Sequence, residues 1–159
     1  MDWVCAGVAI PWDDLPTYLL ARPEVRRRRY RRLGARPEAR FFFSDRWRLL
    51  PVLWQGELRL LPWGARRGDR NGLPCTGWTW KDSIQQGKWA SLAPEEVIVP
   101  ASFALDRGVW FHVTRGIRAL VVSGKDEQPV AYVVVEPASH YYRVMTRSRW
   151  MPCLVGQTI

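Results

Sequence analysis

Between Pro94 and Pro137 the chain alternates short apolar runs with turns, and this alternation constrains the fold more than any other feature. Residues 97–100, 109–113, 117–122 and 130–136 are rich in β-branched and aromatic side chains, and all are too short for ordinary helices. Thr114-Arg115-Gly116 and residues 124–128 supply turns between them. Earlier, Arg40-Phe41-Phe42-Phe43 reads as an aromatic strand, and residues 48–54 and 57–63 as a hairpin turning at Gln55-Gly56. Residues 151–155 read as a last edge strand. The pattern predicts an α+β fold, a mainly antiparallel sheet or barrel-like core of about seven strands, with 97–100 and 109–113 in the sheet interior.

Helices are expected near the N-terminus. Asp13-Asp14 before Leu15-Pro16 is a helix start, and Pro23 breaks that helix and opens a second. The second is expected over 24–33, ending at Gly34 and carrying Arg26-Arg27-Arg28-Arg29-Tyr30-Arg31-Arg32. Its arginines surround the axis, which makes it either a solvated face or a phosphate-attracting element. Residues 64–95 are irregular, punctuated by glycines, with a short helix at 82–86.

Length and composition then exclude whole classes. The 159 residues suit one domain spanning 1–159, and a 47% hydrophobic content excludes wholesale disorder. No apolar run approaches the ~18 residues of a membrane span, and Asp2 is out of place in a secretory signal, so a cytoplasmic location without membrane contact is expected. Cys5, Cys75 and Cys153 are odd in number and widely spaced, and only His112 and His140 accompany them, so neither a disulfide framework nor a metal centre is expected, and no cofactor.

The formal charge is +9, carried by 21 Arg and only three Lys (Lys81, Lys88, Lys125), beside ten Trp. Arginine forks onto phosphate, and both arginine and tryptophan stack on bases, so the expected partner is single-stranded or damaged DNA, or RNA. Trp78 and Trp80 stand at i and i+2 near Lys81 and Lys88, either as a stacking platform or, with Trp89, as a plug that packs the irregular segment. Trp47, Trp54, Trp63 and Trp110 read as core or half-core.

Several segments, taken in order, resemble the SOS-response-associated peptidase (SRAP) family. Phe41 to Leu50 followed by Leu60-Leu61-Pro62-Trp63-Gly64 is similar to its middle section, Val97-Ile98-Val99-Pro100-Ala101-Ser102 to its Val-Pro-Ala strand, and Arg147-Ser148-Arg149-Trp150-Met151-Pro152 to its Met-Pro motif. The resemblance implies binding of single-stranded DNA and covalent capture of abasic sites through an N-terminal Cys, with DNA damage as the context.

Carried over residue by residue, the family's Cys is nearest to Cys5, its Glu falls on Asp106 and its His on Ser148. His140, eight residues earlier, is a stand-in imidazole only if the intervening loop differs from the family's. The family's Asn-Ala-Arg has no counterpart near Cys75-Thr76-Gly77. Cys5 follows Val4, so its nitrogen is an amide, whereas the family's capture needs a free amine beside the thiol. The resemblance therefore implies a divergent member, with Cys5, Asp106 and His140 as candidate catalytic residues and crosslinking weakened or lost. Trp63, Arg66, Arg67, Trp78, Arg107, Arg147 and Arg149 are the candidate DNA-binding residues, expected to line one groove walled by Trp63 or Trp78. Two rival classes remain: a small β-barrel that reads a modified base or nucleotide through a Trp-lined pocket, in the manner of PUA-like barrels, and a phage or accessory interaction module whose Arg helix docks on an acidic protein.

Overall fold

Paired positive-φ residues mark the tight corners from which the strands run. Gln55 (φ 53°) and Gly56 (φ 79°) turn one hairpin, and Arg107 (φ 47°) and Gly108 (φ 80°) another. Two consecutive left-handed residues match the twist of the flanking strands. The computed structural model describes residues 4–159. The elements in chain order are β1 (Gly7–Pro11), α1 (Thr17–Leu20), α2 (Pro23–Arg26), β2 (Arg29–Tyr30), β3 (Glu38–Phe42), β4 (Leu49–Trp54), β5 (Glu57–Pro62), β6 (Trp78–Trp80) and α3 (Lys81–Gln85). There follow β7 (Glu95–Val99), β8 (Phe103–Asp106), β9 (Val109–His112), β10 (Ile117–Ser123), β11 (Pro129–Pro137), α4 (His140–Thr146) and β12 (Trp150–Pro152).

The fold is α+β and mostly antiparallel. One sheet runs β2-β3-β1-β8-β9, and the other β12-β11-β10-β7-β4-β5, with β6 parallel to β11. A bridge between Trp63 and Ala131, in which Gly64 N–H donates to the Ala131 carbonyl at 2.8 Å, ties the end of β5 back to β11. The second sheet thus closes towards a barrel.

β11 is buried on both faces, which is why its sequence is an unbroken apolar run. Ala131, Val133 and Val135 join the main core, while Val130, Tyr132 and Val134 face a smaller core with Leu73, Trp89 and Leu120. Gly64 serves this junction. Its φ is +68°, and a Cβ there would lie 2.0 Å from the Thr76 carbonyl oxygen.

The expected helix over 24–33 stops at Arg26. Only Val25 within it is buried, so no apolar stripe supports further turns, and Arg29-Tyr30 pairs instead with Ala39 and Glu38. The segment at 109–113 also differs from expectation: β9 is the edge of its sheet, whereas β7 lies inside the other between β10 and β4. The first helix expected near Asp13 is a 3-10 turn at Trp12–Asp14 followed by α1. β1, β6, β8 and α4 add elements that the apolar pattern does not announce.

Arg40 on β3 shows where many arginines go. Its guanidinium lies 3.6 Å from the Tyr30 ring centroid and 4.7 Å from that of Trp110, and its Nε donates to Glu38 at 2.9 Å. Lysine keeps the charge but not the planar stack. Arg40→Lys is expected to cost about 1 kcal/mol, read by denaturant unfolding; an unchanged midpoint would mean that the stack contributes nothing.

Candidate nucleic-acid interface

Asp106 ends β8 with its side chain turned into the core, while Arg107-Gly108 make the hairpin turn beyond it. Both carboxylate oxygens are engaged by hydroxyls from the two ends of α4. Tyr142 Oη donates to Oδ2 at 2.6 Å, and Ser148 Oγ donates to Oδ1 at 2.9 Å. The helix is fixed for this task. Ser139 Oγ accepts from Tyr142 N–H at 3.1 Å as the N-cap, and Arg147 takes a left-handed conformation (φ 63°) just after the last turn. Thr146 Oγ1 then accepts from Ser148 N–H at 3.1 Å, which holds the serine inward.

Burial raises the Asp106 carboxyl above the usual carboxylate range, although both hydroxyls and Arg107 favour its charge. Cys5 lies close enough to feel that charge. Its fully buried thiol is pushed up to about 12, first by desolvation and then by Asp106. Such a thiol is protonated at neutral pH and inert as a nucleophile. Tyr142 is raised too, by burial and then by its bond to Asp106, so it stays a donor. His140 is exposed at the first position of α4, whereas Tyr142 and Thr146 carry the buried face. His140 begins α4, at the end away from Ser148, and does not line the depression formed by Arg143, Arg147 and Arg149.

Ser148 is also the floor of a depression of about 520 Å³, walled by Arg143, Arg147 and Arg149. A second depression, about 510 Å³, is lined by Arg48, Arg66, Arg67, Phe43 and Cys75 among others. Arg48 lies 4.0 Å over the Phe43 ring, and Arg66 Nη2 donates to the Asp45 carbonyl at 2.7 Å. Burial first, and then the charge of Arg66, hold the Arg48 guanidinium below its ordinary value. The four arginines expected in one groove thus divide, Arg66 and Arg67 to one depression and Arg147 and Arg149 to the other. Arg107 is exposed on the β8–β9 turn, next to Asp106.

Trp63 and Trp78 are 1% and 3% exposed, so neither offers a ring face to a base. They act behind the surface. Trp63 Nε1 donates to the Gly77 carbonyl at 3.0 Å, and Trp78 Nε1 to the Cys5 carbonyl at 3.2 Å, while both rings pack on Phe43. Phe43 lines the second depression and packs on Trp78, which bonds to Cys5, the residue that feels the Asp106 charge. Trp47 reverses its expectation as well: 69% exposed, it lies between Arg46 and Arg48, with the Arg46 guanidinium 5.9 Å from its ring. Arg48, Arg143 and Trp47 escape sequence reasoning because exposure and convergence are properties of the folded surface.

No family model, curated protein or solved structure matches this chain. Among the described residues, no cluster of three or more His, Cys, Asp or Glu side chains suits a metal ion, and no helix is long and apolar enough to cross a membrane.

Proposed function

We propose that this chain binds single-stranded or damaged DNA without covalent chemistry, seating backbone phosphates in its two arginine-lined depressions, as a divergent relative of the SRAP family. One observation carries the reading. Some surface arginines pair with acids, as in Arg22–Glu24, Arg59–Glu57 and Arg118–Glu96. Arg143, Arg147 and Arg149 converge around Ser148 with no acidic partner among the described residues. Three guanidiniums lining one depression offer a bound phosphate both positive charge and forked N–H donors. Support for the family comes from Cys5, Asp106 and Ser148: three positions aligned from separate motifs are neighbours beneath that depression. Trp47 supplies an exposed indole beside Arg48 on which an unpaired base can stack.

A gel shift with a single-stranded oligonucleotide tests this. Affinity should fall with log salt at a slope of about −0.7 per phosphate neutralised, and Arg147→Ala/Arg149→Ala should flatten that slope by more than one unit. Salt-independent binding, or none in about 50 mM salt, overturns the proposal. The arginine run on which the interaction-module alternative rests is split between the short helix α2 and the strand β2.

A further inference from the structure

A third depression, about 670 Å³, lies apart from both arginine sites and shares no lining residue with them. Its size falls within the range of small-molecule sites, ~300–1,000 Å³. Its chemistry is distinct as well. Of the three lysines in the chain, Lys81 and Lys88 both line it, and no arginine does.

One wall is aromatic, and the sheet explains why. β6 and β12 both pair with β11, placing Trp80 opposite Val135 and Trp150 opposite Pro137. Val135 and Pro137 are two residues apart and face the same side, so the two indoles meet, centroids 4.0 Å apart. Both rings are half-buried, fixed by the core behind them and open towards the cavity.

Polar side chains, Asp82 among them, line the rest of the cavity. Glu136 Oε2 accepts from the Cys153 thiol at 3.1 Å and lies 3.7 Å from Lys81 Nζ. Lys81 is therefore partly neutralised. Lys88 and the Gln86 amide have no side-chain partner among the described residues and stand on the rim.

We infer that this cavity, bounded by Trp80, Trp150, Lys81, Lys88, Gln86 and Glu136, is a binding site for a purine nucleoside monophosphate. A bicyclic base covers the indole wall more fully than a pyrimidine does. Its exocyclic amine or ring N–H meets an acceptor on Glu136 or Gln86, and the phosphate takes Lys88 as its counter-charge. The inference is independent of strand binding.

Calorimetric titration of the whole chain with AMP and with GMP, against ribose 5-phosphate and inorganic phosphate, is the test. Saturable one-to-one binding of at least one purine monophosphate is expected, with ribose 5-phosphate at least about fivefold weaker, the low end of what base stacking contributes. Lys88→Ala, at an exposed position, should weaken the nucleotide by about fivefold or more. Arg147→Ala/Arg149→Ala should leave it unchanged, which separates this site from the strand-binding reading. No saturable binding at millimolar nucleotide, or equal affinity for ribose 5-phosphate, overturns the inference. So does loss of binding in the arginine variant, because the nucleotide would then occupy the other depression.

Discussion

Incubated with an oligonucleotide carrying an abasic site, this chain should leave no denaturation-resistant adduct. Capture by a terminal cysteine forms an imine between its α-amine and the ring-opened sugar aldehyde, with loss of water. The thiol sulfur then adds to the imine carbon to close a thiazolidine. Cys5 fails at the first step, because its nitrogen is in the amide bond to Val4. It fails at the second because its thiol, pushed up to about 12, is thiolate in only about one molecule in 10⁵ at pH 7. Ser148 stands where the family resemblance places a His, which removes a general acid–base group that typically contributes ~10²–10⁴-fold. A version made to begin at Cys5 regains the amine but not the imidazole, and only slow capture is expected. Intact-mass measurement after denaturation reads both outcomes. A rapid adduct from the uncut chain would overturn this expectation and assign the chemistry to another amine.

Some of this site was legible in the sequence and some was not, for identifiable reasons. The spacing of the resembled family, counted forward from Val99-Pro100-Ala101 and back from Met151-Pro152, falls on Asp106 and Ser148, which hydrogen-bond at 2.9 Å. Tyr142 is invisible to such counting. It reaches Asp106 only because α4 forms, and that segment, His-Tyr-Tyr-Arg-Val-Met-Thr, is rich in residues that favour strands. The Ser139 cap is a local signal, whereas the left-handed Arg147 that ends the helix is not announced by its residue type.

The fold follows the same division. The Gln55-Gly56 hairpin is legible because few residue pairs accept two positive φ angles, and β11 because only a strand buried on both faces needs six apolar residues in a row. β1 and β8 are short and unpatterned, and they become strands by pairing with each other. Arginine and tryptophan interleaving is the most misleading signal. Much of it is spent within the protein, with Arg29 over Trp12, Arg48 over Phe43, Arg59 over Trp54 and Arg40 between two rings.

Replacing the buried carboxylate should cost stability even though its own charge is poorly solvated. Asp106→Ala leaves Tyr142 Oη and Ser148 Oγ without their acceptor in a closed environment, at roughly 1–3 kcal/mol each, so a loss of about 3–5 kcal/mol is expected. Tyr142→Phe separates the carboxylate's own charge from this packing. The ring and its edge contact with Phe111, centroids 5.4 Å apart, are kept, and one donor to the charged form is lost. The pH dependence follows from the raised pKa of Asp106. An acid whose folded pKa lies above its unfolded value adds stability below the unfolded pKa, and that contribution is lost as pH rises through the folded pKa. Asp106 therefore favours the fold in acid and opposes it at neutral pH, where the two hydroxyls offset part of its desolvation. Tyr142→Phe removes half of that offset and pushes the carboxyl higher still. Its cost should be about 1.5–3 kcal/mol at neutral pH and should shrink as Asp106 protonates on acidification. Denaturant unfolding of both proteins across the acid range reads the difference directly. A penalty that stays constant with pH would show that Tyr142 serves packing alone and that the Asp106 charge is not what its hydroxyl holds.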